Sequence, residues 1–141
     1  MPGNTITQKQ AEQQVQANIH AGAAELPATA KLEQQLTDTG PCDDPTDNGP
    51  QGRVTASSTY QVHNLDSEQY PNLFGHLRDW WIQQNFRVLD DSHQNSTVRY
   101  LWVENNQDGF RMAMQSNDGG GLFLTSSSPC VWPNGTPPTS S

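Results

Sequence analysis

Near the start of the chain, apolar residues recur every three or four positions. Ala11, Val15, Ile19, Ala23 and Leu26 stand among Gln, Glu, Lys and Asn. That spacing predicts an amphipathic helix over residues 7–26, ended by Pro27. Its apolar stripe is thin, so the helix is expected at the periphery of the fold. Residues 31–36 add a short extended piece, and 38–52 read as a loop rich in Pro, Gly and Asp. The period then changes to two. Val54, Ala56, Ser58, Tyr60 and Val62 alternate with Thr55, Ser57, Thr59 and Gln61, the pattern of a half-buried strand over 53–62.

A second helix is predicted over residues 67–84. Asp66 followed by Gln69 is a capping-box start, and Pro71 fits within the first turn. Tyr70, Leu73, Phe74, Leu77, Trp80 and Trp81 build one broad apolar face, with Trp81 expected at its margin, and Asn85 is a sound stop. Four strands follow, over 86–90, 97–104, 109–115 and 121–125. The connections at 105–109 and 116–120 are rich in residues that accept positive φ, which implies an antiparallel meander.

Chain direction limits the topology. If the strand at 53–62 runs up and the long helix down, the last strand also runs down. The start of the first strand and the end of the last therefore share one edge of the sheet. Those points carry Cys42 and Cys130, so a disulfide is easy where the two strands are neighbours. The expected fold is α+β, an antiparallel sheet of about five strands in the order α-β-α-β-β-β-β. The long helix crosses one face and the N-terminal helix is peripheral. Residues 7–132 form one domain, between a disordered start (1–6) and a disordered, Pro/Ser/Thr-rich tail (133–141).

The two cysteines lie in rigid segments, Gly40-Pro41-Cys42-Asp43-Asp44-Pro45 and Ser128-Pro129-Cys130-Val131-Trp132-Pro133. An even count bracketing a strand-rich region reads as a clamping disulfide and an oxidising compartment. The alternative, two buried thiols in a cytosolic core, fits less well, because neither lies on an apolar periodic segment. A clamp matters here because only 32 % of the 141 residues are apolar. With the 11 glycines added the share is about 40 %, against a usual 45–50 %. Four tryptophans partly offset the shortfall.

Lys+Arg 7 against Asp+Glu 15 gives a net charge of −8. Arg53, Arg78, Arg87, Arg99 and Arg111 form no run, which argues against nucleic acid and against an anionic lipid surface. No stretch approaches the roughly 18–20 apolar residues of a membrane span. Met1-Pro2-Gly3-Asn4-Thr5 shows neither the basic nor the apolar region of a signal peptide; if the protein is exported, as the expected disulfide implies, the sequence is a mature form.

No residue set completes a reactive constellation. His20, His63, His76 and His93 show no zinc spacing. The acidic cluster Asp43, Asp44, Asp47, Asn48-Gly49 resembles a calcium loop only until Thr55 falls where a bidentate Glu is needed. Ser126-Ser127-Ser128 leads into Pro129 and is no nucleophile elbow. Asn95-Ser96-Thr97 and Asn134-Gly135-Thr136 match the glycosylation acceptor pattern. No catalytic residue, cofactor or metal ligand is therefore assigned.

The cysteine segments, with Tyr100-Leu101-Trp102-Val103-Glu104 and Asp108-Gly109-Phe110-Arg111, resemble a group of small exported lipoproteins of actinobacteria. In that group a helix, a Cys-Asp-Pro loop, a strand, a Trp-containing helix and a closing Ser-Pro-Cys-Val-Trp-Pro recur in this order. The resemblance covers roughly residues 8–135. It implies an envelope-anchored domain, lipid-attached through an N-terminal cysteine. This chain departs from the pattern at its start, where no lipobox cysteine stands. The group carries no general activity to transfer.

The expected protein is a non-catalytic domain, extracellular or of the cell envelope, that binds a protein, a glycan or a small apolar molecule. The alternative is a secreted inhibitor or immunity-type protein acting on an enzyme through acidic loops. The candidate partner surface is Tyr100 and Trp102 on one strand with Phe110, Met112 and Met114 on the next, an apolar patch that the N-terminal helix either covers or leaves exposed.

Overall fold

The computed structural model describes residues 5–42, 52–92, 98–117 and 120–136. Helix α1 (Gln8–Ala23) opens on a capping box. Thr7 Oγ1 accepts from the Gln10 backbone N–H, and Gln10 Oε1 accepts from that of Thr7. Strands β1 (Lys31–Pro41) and β2 (Val54–His63) follow. The Asp66–Gln69 capping box then starts a 3-10 turn (Ser67–Gln69) that runs into α2 (Tyr70–Gln83). Asn85 ends the helical segment with a left-handed φ of 71°. The chain closes with β3 (Phe86–Asp91), β4 (Arg99–Asn105), β5 (Arg111–Ser116) and β6 (Leu122–Ser127).

The six described strands form one antiparallel sheet in the order β1-β2-β6-β5-β4-β3. The pairing of β2 with β6 is the neighbour relation under which chain direction makes the disulfide easy. The sixth strand is the correction. Residues 31–41 are not a short extended piece but a full edge strand of 11 residues, paired along β2 with one irregularity between Gln34 and Leu36. Leu32 and Leu36 are its only large apolar side chains, and Leu36 is 60 % exposed. Backbone pairing holds this strand, so its side chains carry little periodic signal.

Both helices lie on the same side of the sheet, α1 over β2 and β6 and α2 over β3 and β4. The covered side is built in rows across the strands. Tyr60, Leu124, Met114 and Leu101 are consecutive partners in one row; Ser58, Ser126, Met112 and Val103 in the next. Each is at most 9 % exposed. Fully burying a Leu or Met side chain contributes about 1.5–3 kcal/mol, so Leu101, Met112, Met114 and Leu124 make these rows a large part of the core.

Two expectations about the helices change. α1 is not peripheral, because Ala11, Val15 and Ile19 are 0–1 % exposed and it roofs half the sheet. The stripe is thin because the floor it meets, Tyr60 and Leu124, supplies the bulk. On α2 the buried set is Tyr70, Leu73, Phe74, Leu77 and Trp81, while Trp80 is only partly buried. At about 100° per residue, Trp81 falls roughly 20° from Tyr70 and Trp80 roughly 80° to the other side. Trp81 is therefore the core residue and Trp80 the marginal one.

Cys42 and Cys130 are bonded, with Cα atoms 5.7 Å apart across 88 residues of sequence. Cys42 N–H donates to Arg53 O, and Val54 and Val131 exchange backbone hydrogen bonds of 2.8 and 2.9 Å. The clamp thus prolongs the β2–β6 ladder beyond the end of β6. In the chain-entropy account a loop of this length is worth about 4–5 kcal/mol.

Hydrogen bonds also involve residues outside the expected limits of 7 and 132. Thr5 N–H donates to Gly135 O, Trp132 N–H to Thr5 Oγ1, and Gln8 N–H to Pro133 O. These bonds join the start of α1 to the segment that follows Cys130.

Candidate binding face

The sheet face away from the helices is crossed by three rows in register. The central one reads Leu36, Thr59, Thr125, Ala113, Trp102 and Asp90 from edge to edge. One flanking row brings Gln61, Phe123, Gln115 and Tyr100 together. The other reads Asp38, Ser57, Ser127, Arg111, Glu104 and Arg87. No described helix covers this side, and Tyr100, Trp102 and Phe123 stay partly exposed.

The aromatic part has a defined geometry. The Tyr100 and Trp102 rings stand 6.5 Å apart, tilted by 52°. Ala113, directly opposite Trp102, leaves space above β5. The Arg111 guanidinium lies 5.0 Å from the centre of the Trp102 ring, within cation–π range. Burial pushes the Tyr100 phenol above its ordinary pKa, and the nearby Asp90 carboxylate adds to this.

Beside the rings sits a charged group of three. Glu104, 9 % exposed, accepts from Arg111 Nε at 3.2 Å and from Arg87 Nη2. Burial raises the Glu104 carboxyl pKa, but the hydrogen bonds from Arg111 and Arg87 outweigh it and hold the group below its ordinary value. Glu104, Arg111, Thr55, Ser127, Ser128 and the disulfide line a recess of about 360 Å³ at this end of the face.

The candidate surface read from sequence is thus divided by the sheet. Tyr100 and Trp102 are on the open face, but Phe110 (2 % exposed), Met112 (1 %) and Met114 (0 %) are buried on the helix side. They are core, not surface. The open face instead joins Tyr100 and Trp102 to Arg111, Ala113 and Phe123. Alternation alone does not say which face of β4 matches which face of β5. The opposite charges of Glu104 and Arg111, partners across the hairpin, are the sequence signal that sets the register.

The other candidate groups do not converge. His63 pairs with Glu33 at 2.8 Å and His76 with Glu25 at 3.2 Å, both near the surface. The His20 ring stands edge-on to Tyr60. Among the described residues no group of three or more His, Cys, Asp or Glu side chains is arranged to hold a metal ion. The acidic cluster at 43–49, on which the inhibitor reading rests, lies outside the described residues, as do His93 and Asn95-Ser96-Thr97. Asn134 of the second acceptor pattern is exposed in a described turn. No described helix is long and apolar enough to cross a membrane.

The architecture is a two-layer α+β sandwich, a six-stranded antiparallel sheet roofed on one side by two helices. It is similar to the crystal structure of "the putative lipoprotein LppA from Mycobacterium tuberculosis", with a TM-score of 0.51 and 14 % identity over 95 % of this chain and 87 % of that one. At that identity the likeness concerns the fold alone. No protein-family profile matches the chain, and no curated protein matches it.

Proposed function

We propose that this chain is a non-catalytic domain of the bacterial cell envelope that binds a macromolecular partner through its open sheet face. One observation carries the reading. Both helices roof the same side, so the other side presents Tyr100, Trp102 and Phe123 partly exposed beside an Arg–Glu–Arg group. Aromatic rings and arginine are the side chains most enriched where proteins bind partners. The envelope location is supported by the disulfide and by the fold shared with an actinobacterial protein described as a lipoprotein. The non-catalytic reading is supported by the engagement of the described polar groups. Glu104 is held between two guanidiniums, and His63 and His76 are each paired with a glutamate.

The test compares three immobilised proteins in detergent extracts of an actinobacterial envelope. Wild type and a helix-surface control, Gln13→Ala, are expected to retain the same partner, and the double variant Trp102→Ala/Phe123→Ala to lose it. Retention by the double variant, or loss by the control, contradicts the assignment of this face.

A further inference from the structure

On the other side of the molecule, α1, α2 and the β4–β5 turn leave a cleft of about 200 Å³ that the open-face reading does not use. Its apolar wall is tryptophan. Trp81 is 1 % exposed and fixed between Trp80 and Phe86, with ring centres 6.3 and 6.4 Å away. Trp80, partly buried, lines the cleft beside it. Gly22 of α1 is buried against the Trp81 ring, and a Cβ there would make only an ordinary contact with it at 3.6 Å.

The polar lining is almost entirely carboxamide: Gln14 and Asn18 from α1, Gln84 at the end of α2, and Asn105 from the turn, with Asp108 as the one charged group. Local hydrogen bonds orient all of these side chains but Gln84, which is exposed, without exhausting them. Gln14 Nε2 donates to Asn18 Oδ1 at 2.8 Å, which leaves the Gln14 oxygen and the Asn18 amide nitrogen without a partner among the described residues. Asn105 Oδ1 accepts from the N–H groups of Gln107 and Asp108, leaving its own NH₂ without a partner among the described residues. Asp108 Oδ1 accepts from Phe110 N–H at 3.0 Å, leaving Oδ2. Two donors and two acceptors thus remain on fixed side chains beside an indole wall.

That chemistry selects its ligand. No cation lines the cleft and the one formal charge is negative, so an anionic ligand is disfavoured. A purely apolar ligand would strip water from the amides and return nothing, a cost of roughly 1–3 kcal/mol per group. A small ring with an apolar C–H face and hydroxyls around its edge satisfies both walls, since each hydroxyl donates and accepts and the face can lie against indole. The volume is below the roughly 300–1,000 Å³ of drug-sized sites, which suits one ring rather than an oligomer or a lipid chain. We propose that this cleft is a binding site for a single neutral hexopyranose, free or at the end of an envelope glycan.

The site is tested on the whole chain by following the indole N–H signals of all four tryptophans by NMR. The probes are methyl glucoside, methyl mannoside, methyl galactoside, N-acetylglucosamine and glucuronate. At least one neutral sugar is expected to shift the Trp80 and Trp81 signals saturably with a Kd in the millimolar range (about −4 kcal/mol), and glucuronate to leave them in place. Asn18→Ala and Trp80→Leu, both retaining wild-type melting temperatures, are expected to weaken binding by roughly tenfold, the effect of one lost hydrogen bond or stacking contact. Trp81 is left intact because it is core. No saturable shift with any neutral sugar at about 50 mM overturns the proposal, as does a shift confined to Trp102, which would assign sugar binding to the sheet face. The free sugar and a short glycan ending in the same ring then separate the two sources: equal binding assigns a glycan end as an occupant, and loss of binding with the glycan confines the site to the free sugar. None of these outcomes depends on the partner of the open face.

Discussion

The two faces of this sheet are made by the same strands and have opposite characters. On the helix side β4, β5 and β6 present Leu101, Val103, Met112, Met114, Leu122 and Leu124, all 0–1 % exposed. On the other side the same strands present Tyr100, Trp102, Arg111, Gln115, Phe123 and Thr125, exposed or partly so. The first set gains by excluding water from one another and from the helices. The second is half-satisfied, with polar groups bonded across strands and three aromatic rings that no described element covers. It is on this uncovered set of Tyr, Trp and Phe beside polar neighbours that the proposed binding role rests.

The contrast is sharpest in stability. Opening the clamp with Cys42→Ser/Cys130→Ser is expected to cost most, up to about 4–5 kcal/mol, read as a lower urea midpoint. Next comes the helix side, where Trp81→Ala should cost about 3–5 kcal/mol and Leu77→Ala about 2–5. Trp80→Ala should cost clearly less than Trp81→Ala. On the open face Trp102→Ala should cost within about 1 kcal/mol, the range of a partly exposed side chain. Equal losses for Trp81 and Trp102 in urea melts would mean that both faces are buried.

What the sequence shows and hides follows the same division. The alternation of Val54, Ala56, Ser58, Tyr60 and Val62 and the Asp66–Gln69 cap of the second helix are local signals, and they produce β2 and α2 where expected. Direction and cysteine placement make β2 and β6 favourable neighbours, and the two strands do pair. β1 was hidden because an edge strand of Gln, Glu and Thr is held by its backbone, and the depth of α1 because burial depends on what a helix meets. The candidate surface joins residues of opposite faces for a third reason. Met112 and Trp102 both look like patch residues, and only the register between β4 and β5 puts them on opposite sides.

Two smaller effects refine the comparison. Glu104 has a lowered folded-state pKa, so its contribution to stability is full above the ordinary glutamate range near 4.3 and is lost as pH falls through the lowered value. Urea melts of wild type should therefore weaken more on acidification than those of Glu104→Gln, in which that ionisation is absent. On the helix side, Ser126 is fully buried and its hydroxyl has no hydrogen-bond partner among the described residues. Ser126→Ala should raise stability by about 1 kcal/mol, a gain visible as a higher melting temperature.

The central claim, one covered face and one open face, is tested most directly by NMR with a soluble paramagnetic relaxation agent on the isolated protein. The account predicts strong broadening of the Tyr100, Trp102 and Phe123 ring signals and of the Ala113 methyl, with the methyls of Met112, Met114, Leu101 and Leu124 protected. Equal protection of both sets would show that the face assigned to a partner is already covered within this chain, and would contradict the account.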